Sequence, residues 1–149
     1  MKKGFTLIEL LVVIGVLTVL LAIVLVAINP TRQFQQANDT QRRSDVNAIL
    51  NAVHQYGVDN KGAVPAAITA TATVIGKGVG QIDICSDLVT AYLADLPLDP
   101  TTGTTDSTSN CTAATAYSTG YKISKSASDS RVTVTATPEV SGVTISVTR

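Results

Sequence analysis

Residues 10–28 run for nineteen positions without a charge, and a lone acid, Glu9, stands at the head of that run. Only Gly15, Thr18, Ala22 and Ala27 break the Leu/Val/Ile monotony. At ~1.5 Å of rise per residue a helix over residues 5–28 covers ~36 Å, enough to cross a hydrocarbon core of ~30 Å with some tilt. A secretory signal peptide shares the form of a basic stub before apolar residues, but its apolar stretch is usually ~7 to 15 residues. The end of this run, Ala27-Ile28-Asn29-Pro30, is a weak small-x-small cleavage site. The segment is therefore read as staying on the chain. Lys2 and Lys3 at its start place the N-terminus on the cytoplasmic side by the positive-inside rule, so the rest of the chain is exported.

An uncompensated carboxylate in lipid costs ~2.5 to 3.5 kcal/mol on insertion scales, so an intramembrane acid implies a function and a partner. Residues 7–30 contain no Lys or Arg. The nearest available cation is a backbone amine: if the chain is cut after Gly4, Phe5 carries a new positive terminus one helical turn from Glu9, at the spacing that puts groups on one face. Glu9 in the first turn also meets the positive end of the helix dipole. The pair is satisfied either within one subunit or between neighbouring helices of an assembly.

The contiguous stretch Lys2-Lys3-Gly4-Phe5-Thr6-Leu7-Ile8-Glu9-Leu10 resembles the class III leader junction of type IV pilins and type II secretion pseudopilins. The resemblance implies cleavage by a prepilin peptidase after Gly4, N-methylation of Phe5, and Glu9 as the carboxylate that pairs with a neighbour's amine during assembly. It further implies self-association into a helical filament, driven by an assembly ATPase and a platform membrane protein, from a single-pass precursor in the cytoplasmic membrane to the extracellular surface. Two readings compete within the family, a pilin and a pseudopilin of a secretion or DNA-uptake system. The cysteine pair and the Ser/Thr-rich head favour the first; Leu96-Pro97-Leu98-Asp99-Pro100, similar to a turn in many pseudopilins, favours the second. A reading from another class is a bitopic anchored binding domain that never polymerises and needs no cut at Gly4.

Beyond the span, 149 residues leave room for one small domain. The expected fold class is α+β, a long helix packed on a small antiparallel sheet, divided as leader 1–4, membrane helix 5–28, amphipathic continuation 29–60 and globular head 61–149. Formal charge is zero for the whole chain, and loss of Lys2 and Lys3 leaves nine basic against eleven acidic side chains, which offers no basic patch for nucleic acid. Arg32, Arg42 and Arg43, mixed with Asp39 and Asp45, read as a solvated helix face.

Residues 31–60 read as a helix continuing out of the membrane, kinked or loosened by Pro30. Val46, Ile49, Leu50, Val53 and Gly57 form a one-sided stripe with Asp45, Asn47, Asn51 and Gln55 away from it, so a sheet is needed to cover it. Tyr56-Gly57 and Asn60-Lys61-Gly62 mark the end of that helix. Residues 63–81 read as loop with one short strand. Next comes a brief helix, with Ser86 as N-cap, Asp87 in its first turn and Leu88, Val89, Tyr92 and Leu93 on its buried side, ended by Leu96-Pro97.

The C-terminal third changes period. Tyr121 and Ile123, Val132 to Ala136, and Val143 to Val147 alternate apolar with Lys, Thr and Ser, predicting an antiparallel meander of about three strands with turns at residues 126–130 and 138–142. Cys85 and Cys111 are the two cysteines; an even count in an exported domain favours a disulfide, which would stabilise by ~3 kcal/mol through the unfolded chain.

For catalysis the chain offers little. His54, the sole histidine, sits on a helix flank as a packing or surface residue, and Gly76-Lys77-Gly78-Val79-Gly80 lacks the strand and helix context of a phosphate loop. No enzyme activity and no resident cofactor are expected. Asp99 and Asp106, bracketing a polar loop with Ser107, Ser109 and Asn110, are the one pair that offers oxygens to Ca²⁺; a solvated loop is the expectation there.

Overall fold

The computed structural model describes residues 4–106, 111 and 116–149. Its first element is α1 (Leu7–Ile28), and its second α2 (Pro30–Asp59). One residue separates them. Asn29 takes the left-handed conformation at φ 47°, closing α1 and opening α2, where its side-chain oxygen accepts the Arg32 N–H at 3.4 Å. The expected kinked continuation is thus two helices, for three local reasons. A residue before proline is pushed out of the helical region, Asn tolerates the left-handed one, and proline is favoured at the first helical position.

The second helix ends at Asn60, whose backbone N–H returns to the Tyr56 carbonyl; Lys61 and Gly62 then both take positive φ and turn the chain away. Three elements precede the meander: β1 (Thr73–Gly76), the four-residue α3 (Cys85–Leu88) and the two-residue β2 (Thr104–Thr105). The meander opens with the long β3 (Tyr117–Lys125). Then come β4 (Val132–Ala136) and β5 (Ile145–Thr148). Every pairing between these strands is antiparallel, in the order β1-β3-β4-β5, with β2 on β3 as well. The three expected strands are β3, β4 and β5; β1 and β2 extend the sheet to five, still within an α+β architecture.

Period-2 alternation decides which face is dry. Tyr117, Thr119, Tyr121 and Ile123 of β3, Val132 and Val134 of β4, and Ile145 of β5 point inward and are buried. Ile123 lies opposite Val134, and Val134 opposite Val147, so the register stacks branched side chains in one row. Against that row pack Val46, Ile49, Leu50 and Val53 of α2, with Ile75, Ile84, Leu88 and Leu96 closing the sides. At ~1.5 to 3 kcal/mol for each fully buried aliphatic side chain, this cluster is the main stabilising term of the head. The outward face carries Thr133 and Thr148, whose hydroxyls meet at 2.8 Å.

Two details of the head differ from the expectation. Ser86 lies inside α3, not at its cap: Ile84 is the cap residue, and the Asp83 carboxylate takes over the role by accepting the Cys85 N–H at 2.9 Å. Only one helical turn then forms, so Leu88 and Val89 are buried while Tyr92 and Leu93 lie half-buried in the turn after it. Asp45, expected on the wet side of α2, is half-buried and accepts the Tyr121 hydroxyl at 2.7 Å.

Candidate functional site

Three groups of residues bear on function: the head of α1, the face of α1, and a charged clamp under the head. At the first, Thr6 is the N-cap of α1 and forms a capping box with Glu9. The Thr6 N–H donates to Glu9 Oε2 at 2.8 Å, the Thr6 hydroxyl donates to the same oxygen at 2.7 Å, and the Glu9 N–H reaches the Thr6 hydroxyl oxygen at 3.3 Å. The lone carboxylate is thereby satisfied within its own chain. Phe5, just before it, is 88% exposed, and Gly4 has open space around it. Thr6 is a capping residue not singled out by the apolar pattern, although Thr6-x-x-Glu9 before an apolar run is itself a capping signature.

Along the rest of α1 no residue is buried. Among the described residues it is the one helix long and apolar enough to cross a membrane. Its Leu, Val and Ile side chains project all round, and Leu11, Gly15, Val16 and Val19 border a shallow apolar groove where glycine leaves the backbone open. The Thr18 hydroxyl donates back to the Ile14 carbonyl, which satisfies its O–H within the helix. A helix that is hydrophobic all round is stable only inside lipid or inside an assembly.

The third group overturns the reading of Arg42 and Asp39 as solvated. Arg42 is 1% exposed and ties three segments together. Its Nε donates to Asp99 Oδ2 at 2.6 Å and one Nη to Asp99 Oδ1 at 3.0 Å, a bidentate grip on the 96–100 loop. The other Nη reaches Asp39 at 2.8 Å, and Glu139 in the β4–β5 turn is held at 2.8 Å. Asp39 in turn accepts the backbone N–H groups of Glu139 and Val140. Arg32 and Arg43 are exposed, as the sequence implied.

The charges respond accordingly. Hydrogen bonding to Asp99 holds the Arg42 guanidinium protonated well beyond its ordinary range, despite burial. Burial alone would raise the Asp99 carboxyl, but Arg42 and the Thr101 and Thr102 N–H groups outweigh it and hold the acid far below the usual carboxylate range. Asp39 is lowered in the same way against its burial, by the Glu139 and Val140 N–H groups and Arg42. Glu139 is lowered chiefly by Arg42. Asp45 runs the other way, raised by burial.

Asp99 is therefore committed to Arg42 and its own turn, not exposed for a cation. Asp106 accepts the Ala116 N–H at 3.0 Å, and Ser107, Ser109 and Asn110 lie outside the described residues. Among the described residues no three carboxylate, His or Cys side chains gather as a metal cluster. Gly120 shows how closely the Asp99 turn sits on β3: at φ +81°, a Cβ there would lie 2.8 Å from Asp99 Cβ and 2.6 Å from the Thr102 hydroxyl.

Cys85 and Cys111 form a disulfide with Cα atoms 5.2 Å apart. The Tyr117 hydroxyl lies 3.1 Å from Cys85 Sγ and donates to Asp83 at 2.8 Å. His54 is half-buried beside Val53, Gly57 and Val132, with its Nε2 lacking a hydrogen-bond partner, and no catalytic set assembles around it among the described residues.

Together these parts define a membrane-anchored subunit whose head is closed and whose anchor is bare. Residues 1–25 match the family model of the prokaryotic N-terminal methylation motif. Over 99 residues the chain is 32% identical to type II secretion system core protein G of Pseudomonas aeruginosa, an alignment covering 66% of this chain and 68% of that protein. No solved structure matches the chain significantly. The chain belongs to the pilin and pseudopilin family, and is a pilin-like subunit.

Proposed function

We propose that this chain is the structural subunit of a type IV pilus-like filament, made as a membrane precursor, cut after Gly4 by a prepilin peptidase, N-methylated at Phe5, and stacked through α1. The observation that carries this reading is the contrast between a closed head and an α1 without a single buried residue. Transfer of that helix from lipid to a bundle of its own kind exchanges one apolar surrounding for another, while the heads stay in water. Glu9 makes the exchange selective. In the uncut chain its carboxylate is held by Thr6; after the cut, the Phe5 amine of the same or an adjacent copy lies within reach, and docking at the wrong axial height leaves the acid unpaired in a dry core. An assembly ATPase and a platform membrane protein are the partners such a path requires, and its end point is an extracellular filament. The test is the mass of the N-terminal peptide from sheared surface filaments. A peptide beginning at methylated Phe5 supports the reading, whereas one beginning at Met1 from a monomeric membrane protein supports the non-polymerising anchor.

A second reading, a pseudopilin of a type II secretion system, is favoured by the likeness to core protein G and by the Leu96-Pro97-Leu98-Asp99-Pro100 loop. Deleting the chain separates the two. Loss of an exported enzyme without loss of surface fibres selects the secretion role.

A further inference from the structure

Where α1 ends, a cleft of about 490 Å³ opens between the start of α2 and the β4–β5 turn, lined by Asn29, Thr31, Arg32 and Gln35 on one wall and Glu139 and Ser141 on the other. Its volume lies within the ~300 to 1,000 Å³ usual for small-molecule sites. Its height is set by the span: Arg32 is four residues beyond Ile28, three helical residues at ~1.5 Å each plus the non-helical Asn29 at up to ~3.6 Å, so roughly 8 Å at most, and the polar headgroup layer on each side of a bilayer is roughly 5 to 7 Å thick. The cleft thus lies at the level of lipid headgroups on the exported side. This placement rests on the reading that α1 spans the membrane.

The walls carry opposite charges. Arg32 is exposed and forms no ion pair among the described residues. Glu139, with a side chain 26% exposed, has Oε1 taken by Arg42 at 2.8 Å and Asn38 at 3.1 Å, while Oε2 receives a long 3.3 Å contact from Asn38 and the Thr101 hydroxyl also bonds to the carboxylate. A carboxylate oxygen has about two lone-pair sites, so Oε2 keeps room for a further donor. A plain anion is a poor fit, because Glu139, Asp39 and Asp99 around Arg42 outnumber the two cations nearby. A zwitterion suits both walls.

We infer that this cleft takes the headgroup of an aminophospholipid, its phosphate on Arg32 with the hydroxyls of Thr31 and Ser141, and its primary ammonium on Glu139 Oε2. A choline headgroup has no N–H to donate, and a glycerol headgroup has no cation. The bound lipid holds the subunit at a set height in the bilayer, and leaving the membrane empties the cleft.

The experiment uses the full chain in vesicles of equal parts phosphatidylethanolamine, phosphatidylcholine and phosphatidylglycerol, with native mass spectrometry counting the lipids retained after gentle detergent extraction. Phosphatidylethanolamine is expected at about fivefold excess over each of the others, and Arg32→Gln, which removes the phosphate contact that all three lipids share, is expected to lower the retained phosphatidylethanolamine about fivefold, as for the loss of one charge-assisted contact. Millimolar glycerophosphoethanolamine in the buffer leaves that excess in place if a lipid is the occupant, and abolishes it if the free ester is. Equal retention of the three lipids, a phosphatidylglycerol excess, or undiminished phosphatidylethanolamine retention in Arg32→Gln overturns the inference. Vesicle flotation is read in parallel: a chain that fails to float contradicts the spanning of α1 itself, whereas a chain that floats without lipid preference contradicts only the cleft.

Discussion

Helix α1 and the core of the head are both built largely from Val, Leu and Ile, yet one buries none of them and the other buries nearly all that face its sheet. The difference is in pattern. In α1 the apolar residues leave no polar face, so no single-layer partner within 149 residues covers them; in α2 and β3–β5 they recur at periods of 3.6 and 2, and each stripe has one complementary face to meet. Completeness of the head and incompleteness of the anchor are two consequences of one chain.

That contrast gives separable predictions. The largest effect on the head is expected from Arg42→Ala, which leaves Asp39, Asp99 and Glu139 facing one another without their shared cation. Loss of one partner from a buried ion pair costs ~3 to 5 kcal/mol, so the thermal transition of the head should fall steeply while membrane insertion of α1 is unchanged. Reduction of the Cys85–Cys111 bridge, or replacement of both by serine, is expected to cost about 3 kcal/mol by releasing the unfolded chain, read as a shift in the urea midpoint. Gly120→Ala adds a side chain at positive φ against Asp99 and Thr102 and should cost roughly 1 to 3 kcal/mol.

A smaller effect separates the clamp from ordinary packing. Asp39, Asp99 and Glu139 have their folded pKa values lowered from 3.8, 3.8 and 4.5, so the unfolded chain takes up protons first as the pH falls. Their contribution is complete above about pH 5 and is lost as the pH drops through 4.5 and below; Asp45, raised above 3.8, opposes part of it. Denaturant midpoints measured between pH 7 and pH 3 should therefore decline from about pH 4.5 downwards, and the decline should flatten in Arg42→Met.

The same contrast explains how much is legible in the sequence. The bare helix, the position of Glu9 and the three C-terminal strands are local patterns, visible within windows of ten to twenty residues. Arg42 escapes such a window because its partners Asp99 and Glu139 stand 57 and 97 positions away, and only the folded chain brings them together; seen locally, Asp39 and Arg42 are an ordinary i, i+3 pair on a wet helix. Asp99 reads as a candidate cation ligand for the same reason. Strand β1 has weak signal of its own, four residues within an Ala/Thr/Val/Gly tract, and takes its structure from pairing with β3. The Thr6 cap has a local signature that the neighbouring Glu9 overshadows.

The most direct test of the claim that α1 is left bare for other copies of the chain, with Glu9 guiding their docking, is the filament yield of Glu9→Ala in cells that process the subunit normally. Because an unguided helix loses its charge pairing in a dry core, the yield is expected to fall to about a tenth or less, with membrane insertion and the unfolding transition of the head both unchanged. Filaments at the wild-type level from that variant would contradict the account.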